Sequence, residues 1–356
     1  MSNPTNIIQQ NCTLSDARDN GIYSLCTLVL KLRNLYKWQK GLEPWDEPEP
    51  KVLLDWIDAR ENEWAQIAEN DYLTVPINDW RMDPFEVSTI NEVLRADNLR
   101  YGAGYGRSLK AIFFLAEILE ERPLGGCQVF ILGRELAREL SSPFAMLLEN
   151  EIIIRRESLR FFFWDQIQEI RATNRAPFHH VLGLYGLIGA AGLDQQKFRE
   201  KLDEIVDHEI PSFIHHEIGE FVETGFSRAA LHRIVTVFPH SPIELLVRAL
   251  RDLLTDTNPS GMLGYIIKER RESSLAWYVG FLDGLRKVLF PEMSGVFEKF
   301  LETKDWALVE EARLRCRTAI QQRVDVLTEI VQALDTESPE MIKGHIEQKL
   351  LAPLGL

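Results

Sequence analysis

Cysteine is scarce in this sequence, with four thiols in 356 residues, at positions 12, 26, 127 and 316. None of them forms a CxxC pair or another regular spacing, which argues against a disulfide framework and against a zinc site. Long apolar runs are also missing, because none reaches the roughly 18 residues that a membrane-spanning helix needs. The first residues lack the basic start and apolar core of a signal peptide. These absences predict a cytoplasmic protein without a membrane partner.

Basic residues are in the minority, since the sequence has 40 lysines and arginines but 54 aspartates and glutamates, which gives a formal net charge of −14. Binding to nucleic acid requires a net basic surface that neutralises phosphates, so we expect no nucleic-acid partner. A protein partner or a homo-oligomer remains open. The apolar fraction of 45% is ordinary for a folded protein, and 356 residues are long for one core. The sequence therefore predicts two domains.

Familiar catalytic motifs are missing too. The glycines Gly102, Gly104 and Gly106 have GxGxG spacing, whereas nucleotide-binding loops have GxGxxG or GxxxxGK[ST]. We therefore interpret this segment as a flexible loop. The segment nearest to a GxSxG nucleophile motif, residues 225–229, has alanine in place of the last glycine. The leading functional hypothesis is thus a non-enzymatic interaction or scaffold protein.

Apolar residues recur at helical spacing over residues 22–35 and predict a helix that ends near Lys40-Gly41, and a second helix is predicted over residues 51–68. Further along, two apolar runs flank a Pro-Leu-Gly-Gly turn at residues 123–126, which favours a β-hairpin, with a helix over the first run as the alternative. We also predict a short helix over residues 134–140 and a strand over residues 151–155. This part is therefore predicted to be an α+β domain with a small antiparallel sheet.

The same part is rich in tryptophan. We interpret these large side chains as members of a small core, with an aromatic binding face as the alternative. The five residues are Trp38, Trp45, Trp56, Trp64 and Trp80.

From residue 157 onward, the pattern predicts helices only, separated by proline, glycine and asparagine. Ser241, Pro242 and Glu244 are typical of a helix start, with serine as the cap and proline in the first helical position. The predicted fold class is mainly α. It combines an N-terminal α+β domain, residues 1–172, with a C-terminal all-α helical bundle, residues 173–356.

Histidines and acids concentrate in residues 203–220. Such side chains on bundle helices can hold a metal, so a helical metalloprotein, including a di-iron oxidase-like bundle, is the alternative function. The only candidate cofactor is a divalent metal, Fe, Zn or Mn, although the Glu-x-x-His and His-Glu-x-x-His motifs are missing. The candidate ligands are His208, His215, His216, Glu217 and Glu220.

Glu217 stands out within this stretch. With Ile214, Ile218 and Phe221 it occupies one face of a helix, and we expect that helix to kink or restart at Pro211. A carboxylate in an apolar stripe must be paired, protonated or bound to a metal. An ion pair with Arg248 or Arg271 would satisfy it. A polar pocket in a ligand-binding helical bundle is the further alternative.

Three segments together resemble an uncharacterised bacterial family of two-part proteins. They are residues 35–45 (LYKWQKGLEPW), 130–140 (FILGRELAREL) and 215–220 (HHEIGE). The resemblance covers most of the chain and implies a bacterial, cytoplasmic protein. It implies no activity, cofactor or site residue.

Overall fold

The computed structural model describes residues 3–168, 175–189 and 192–355, and these are 64% helical. The chain divides into two compact units, an N-terminal unit, Met1–Gln166, and a C-terminal unit, Ile167–Leu356. The domain boundary predicted between residues 172 and 173 lies outside the described residues, and it stays a prediction. No helix in the described part of the chain is long and apolar enough to cross a membrane.

The helices of the N-terminal unit begin at caps that the sequence supplies. Asn3 accepts the backbone N–H of Thr5 ahead of a proline in the first helical position, and Ser24 accepts the N–H of Thr27 at the next helix. The helices are α1 (Pro4–Asp19), α2 (Leu25–Gln39), α3 (Pro50–Ile67), α4 (Val87–Leu94) and α5 (Arg156–Gln168).

The prediction of a small antiparallel sheet is wrong. Within the described residues, this unit holds a mixed five-stranded sheet of order β3-β4-β5-β7-β6, in which β5 and β7 run parallel and the other pairs antiparallel. A separate pair, β1 and β2, is antiparallel. The strands are β1 (Val75–Ile77), β2 (Trp80–Met82), β3 (Leu99–Tyr105), β4 (Ala111–Leu124), β5 (Cys127–Arg138), β6 (Ala145–Leu148) and β7 (Glu151–Arg155).

The sheet confirms some expectations and corrects others. The β4–β5 hairpin and the strand at residues 151–155 are as predicted, and the turn uses Gly125 and Gly126 at φ of 62° and 87°. The helix predicted over residues 134–140 is wrong, because β5 continues to Arg138. The flexible loop is wrong as well, since Gly102 lies in β3. A Cβ there would stand 2.1 Å from the ring of Phe114, which explains the glycine.

A buried ion cluster joins the parallel strands. Arg155, the last residue of β7, donates from Nε and Nη2 to both oxygens of Glu135 at 2.9 and 3.1 Å, and from Nη1 to Glu139 at 3.2 Å. All three side chains are fully buried. Ser158 of α5 donates to Glu135 at 2.7 Å. Arg138 adds a second, longer ion pair to Glu135 at 3.6 Å, while Arg155 pairs with both carboxylates.

The C-terminal unit is mostly helical, but "all-α" is wrong because Ile188–Gly189 (β8) and Gly192–Leu193 (β9) form an antiparallel pair. The helix start at Ser241 is confirmed, since its hydroxyl accepts the N–H of Glu244. The helices are α6 (Arg175–Leu184), α7 (Gln195–Val222), α8 (Arg228–Val237), α9 (Pro242–Thr257), α10 (Met262–Lys268), α11 (Glu272–Phe281), α12 (Gly284–Leu289), α13 (Met293–Thr303), α14 (Trp306–Gln332) and α15 (Pro339–Ile346).

The long helix α7 continues through Pro211, so the predicted restart there is wrong, while the predicted kink stays a prediction. Proline removes one backbone hydrogen bond, but fully or nearly buried isoleucines on both sides, Ile210 and Ile214, hold the helix against the core. Near its end, α7 meets α9 and α10 backbone to backbone. A Cβ on Gly219 would lie 2.6 Å from the carbonyl oxygen of Thr255 and 2.9 Å from the Cα of Gly261.

Replacing Arg155 by methionine should cost about 3–5 kcal/mol of unfolding free energy, because Glu139 would lose its buried partner and Glu135 would keep only the longer pair with Arg138. Urea unfolding measures the change. Arg122→Met is the control, since the Arg122–Glu120 pair on β4 is exposed and should contribute less than about 1 kcal/mol. Equal effects of the two substitutions would contradict the structural role of the cluster.

Gly219→Ala should destabilise the C-terminal unit by about 1–3 kcal/mol, because the methyl group would push α7 away from Thr255. Gly344→Ala in α15 is the matched control, as no heavy atom lies within 4 Å of its Cβ position. That variant should be neutral or more stable by up to about 1 kcal/mol, since alanine favours helix. Thermal denaturation of both variants tests the contrast, which would fail if Gly219→Ala were the more stable variant.

Candidate functional site

The N-terminal unit contains a cavity of about 880 Å³. Its walls come from α1, α2, α3, β5 and the first turn of α5, and this volume falls in the range of about 300–1,000 Å³ that small-molecule pockets have. The lining mixes amides and charged groups with a few large apolar side chains. The lining residues are Thr5, Asn6, Gln9, Gln10, Thr13, Asp16, Leu35, Trp38, Gln39, Lys40, Gly41, Arg60, Glu63, Trp64, Arg134, Glu135, Leu136 and Glu157.

Two indole rings in the cavity wall differ in their hydrogen bonding. Trp38 donates its Nε1–H to the carbonyl oxygen of Glu135 at 3.2 Å. Trp64, which is 4% exposed and packs with Leu35 and Ile57, has a buried Nε1–H without a hydrogen-bond partner in the described ranges. A buried donor left unpaired costs about 1–3 kcal/mol. Trp64 therefore lines the cavity and also carries an unpaired buried donor.

Arg60 adds a second source of donors, one turn before Trp64 on α3. Its guanidinium donates to Glu63 at 2.7 Å and to Gln39 at 3.3 Å, and lies 5.1 Å from the ring centre of Trp56. Its Nε is buried and lacks a hydrogen-bond partner among the described residues. The contacts fix the guanidinium in place while leaving one of its N–H groups unused.

Two acids of the cavity wall, Glu135 and Asp16, are paired with cations that are not part of the lining. Burial raises the pKa of Glu135, but Arg155 and Arg138 lower it by more. The pKa of Glu135 is therefore below its ordinary value, and the carboxylate stays ionised. Asp16 pairs with Lys110 at 2.8 Å and accepts the N–H of Leu140 at 3.0 Å through both oxygens. Burial nevertheless leaves the pKa of Asp16 raised, since Lys110 opposes it only in part.

Glu157 differs from the other acids of the lining. It accepts the backbone N–H of Glu135 at 2.7 Å, and it forms no ion pair within the described part of the chain. Burial raises its pKa, and the neighbouring charge of Glu135 raises it further. Glu157 can therefore take up a proton more easily than an exposed glutamate.

The five predicted metal ligands lie on α7 in the C-terminal unit. His208 bonds to the hydroxyl of Tyr185 at 2.8 Å and contacts Arg271. His215 stacks on Tyr265 with ring centres 4.0 Å apart. These two histidines therefore have separate partners, although the helix is continuous between them.

The other three ligands also have separate surroundings. His216 pairs with Asp256 at 2.7 Å, and although burial lowers its pKa, Asp256 raises it to about 10. Glu220 lies 3.4 Å from Arg251. Over the described ranges, no group of three or more His, Cys, Asp or Glu side chains could hold a metal ion. Metal binding by His208, His215, His216, Glu217 and Glu220 stays a prediction.

Glu217 is buried, at 5% exposure, on the apolar face where the sequence places it. Neither suggested partner reaches it, since Arg248 pairs with Glu244 and Arg271 bonds to His208. Burial raises its pKa to about 7, although the charge of His216 opposes the shift. The carboxyl group therefore takes up a proton at a higher pH than an exposed glutamate, and protonation is one of the three ways that such a residue can be tolerated.

The predicted metal ligands lie in the C-terminal unit, whereas this cavity lies in the N-terminal unit. The sequence signal for the cavity was the tryptophan-rich N-terminal part, which was interpreted as a core with an aromatic binding face as the alternative. Trp64 belongs to a core cluster and also lines the cavity. Trp80 is not part of a core, as it is 75% exposed, and the aromatic binding face stays a prediction.

Glu217→Gln should stabilise the protein at high pH. The folded-state pKa of about 7 exceeds the ordinary 4.5, so stability falls as the pH rises from about 4.5 through 7 and the penalty is then complete. At pH 8.5 the variant should be more stable by about 3 kcal/mol, and at pH 4 it should equal the wild type. Urea unfolding at both pH values measures this.

Glu204→Gln, an exposed position on the same helix, is the control and should show no such difference between the two pH values. A Glu217→Gln variant that is less stable than the wild type at pH 8.5 would contradict the account, since it would mean that the ionised carboxylate has a partner.

Comparison with known proteins identifies a family without assigning an activity. No curated protein and no solved structure matches the chain. Residues 5–155 match the N-terminal domain, and residues 160–349 the C-terminal domain, of a family of unknown function, DUF6866. The resemblance to an uncharacterised family is confirmed, while its bacterial origin stays a prediction. The two matches cover most of the sequence, and the chain therefore belongs to the DUF6866 family.

Proposed function

We propose that the protein is a non-enzymatic binding protein whose N-terminal unit holds a small organic molecule in the cavity beside Trp64. The observation that carries this proposal is the cavity of about 880 Å³, lined in part by Trp64, since its volume falls in the range of small-molecule pockets. The buried Nε1–H of Trp64 has no partner among the described residues, and a ligand acceptor that reached it would remove the cost of that unpaired donor. The proposal narrows the broader interaction hypothesis, because a scaffold does not need such a cavity.

The chemistry of the lining favours binding over catalysis. Covalent catalysis needs a nucleophile activated by a nearby base, and the described lining side chains include no histidine, cysteine or serine. The hydroxyl of Thr13 donates to its own helix, to the carbonyl of Gln9. Glu135 and Asp16 are held by Arg155 and by Lys110. Most of the reactive groups are therefore committed to structure.

We also infer a cytoplasmic location. None of the four cysteines forms a disulfide in the described part of the chain, and three of them are buried. Thiols of this kind are typical of proteins in a reducing compartment.

The proposal predicts that bulk added to the cavity wall abolishes small-molecule binding. Thr13→Trp places an indole in the cavity, and a screen of small organic fragments by ligand-observed NMR should give hits on the wild type that this variant loses. Thr318→Trp is the matched control, because Thr318 is an exposed helical threonine whose hydroxyl donates to the carbonyl four residues earlier, as Thr13 does. It should keep every hit.

Trp64→Phe tests the donor itself. Removing one hydrogen bond should weaken the hits about three- to tenfold, corresponding to about 0.5–1.5 kcal/mol. Trp56→Phe on the same helix, outside the cavity lining, should leave them unchanged. The proposed function fails if no fragment binds at millimolar concentration, or if Thr13→Trp binds the hits as well as the wild type does.

A further inference from the structure

The charges around the cavity are unequally compensated. Four acids and three cations line it. Asp16 is paired with Lys110, Glu63 with Arg60, and Glu135 with Arg155. Three of the four acids are thus bound by cations of the protein, and only Glu157 lacks one in the described chain.

Two of the three cations in the lining form no ion pair within the described residues. Lys40, at the end of α2, contacts only the ring of Tyr36, with its ammonium 5.9 Å from the ring centre, and forms no ion pair within the described residues. Arg134 on β5 likewise has no ion pair or hydrogen bond through its side chain in the described ranges. Both are exposed at the rim. Arg60 keeps its buried Nε–H free, as described above. The uncompensated charge of the lining is therefore positive.

We propose that the ligand of this cavity is a small organic anion, in which a carboxylate or phosphate group is joined to an apolar body. This inference rests on the proposed function. Lys40 and Arg134, the exposed cations of the lining, neutralise the anionic group. The unpaired N–H groups of Trp64 and Arg60, buried in two further lining residues, are additional donors for an acceptor that reaches them. The apolar body packs on Trp38, which is fixed by its own hydrogen bond.

Glu157 fits this assignment despite its negative sign. Its raised pKa follows first from burial and then from the charge of Glu135, so protonation beside a bound anion is less costly than for an exposed glutamate. A protonated carboxyl group becomes a donor. The one uncompensated acid thus need not repel the ligand.

A series of probes with one shared body tests the charge preference. The probes are 2-naphthoate, 2-naphthyl phosphate, the neutral 2-naphthalenemethanol and the cationic 2-naphthylmethylamine, each measured by titration calorimetry on the full chain. One of the two anions should bind at least about tenfold more tightly than the alcohol, as expected for charge-assisted hydrogen bonds, and the tighter anion identifies the group. The amine should bind most weakly. Raising the salt concentration should weaken only the anions.

Lys40→Met/Arg134→Met should abolish most of the preference for the anions while leaving the affinity for the alcohol unchanged. Arg122→Met, an exposed position on β4, is the control and should preserve the preference. Equal or tighter binding of the alcohol or the amine would overturn the inference and leave the proposed function standing. Failure of all four probes would overturn the inference as well, whereas the fragment screen with Thr13→Trp decides the proposed function separately.

Discussion

The guanidinium of Arg155 is the interaction on which the N-terminal unit depends. It joins the end of β7 to Glu135 on β5 and to Glu139 just beyond it, and all three side chains are withdrawn from water. A buried ion pair gains little over apolar packing, but it is costly to break, so it specifies one arrangement of the strands. The same arrangement positions part of the cavity wall, because the backbone of Glu135 bonds to the lining residues Trp38 and Glu157.

The two units solve the problem of buried acids differently. In the N-terminal unit, Glu135 is held ionised by arginines. In the C-terminal unit, Glu217 has no such partner among the described residues, and burial raises its pKa to about 7. The first solution fixes geometry at every pH where carboxylates are charged, whereas the second ties stability to pH. Only the first produces a rigid polar wall of the kind that ligand binding requires.

The sequence predicted correctly the helices and strands that are determined by neighbouring residues. The β4–β5 hairpin follows from two apolar runs around a glycine turn, and the start of α9 follows from Ser241 and Pro242. The segment 134–140 could not be predicted in this way, because its charged residues favour a helix until Arg155 supplies a buried partner for Glu135 and Glu139. The cavity could not be predicted from the sequence for a similar reason. Its lining runs from residue 5 to residue 157, and no spacing rule relates such distant positions. Glu217 was identifiable, since both its face and its helix are local properties.

The contacts of α1 constrain the order in which the N-terminal unit can assemble during synthesis. Gln9 bonds to the backbone of Arg138, 129 positions later, and Asp16 accepts the N–H of Leu140, 124 positions later. After its own synthesis, α1 must therefore wait, on the order of ten seconds at typical elongation rates, for the strand that completes its polar contacts. Until then the face of α1 that is buried in the folded unit stays exposed, and the unit can close only after β5 has been made.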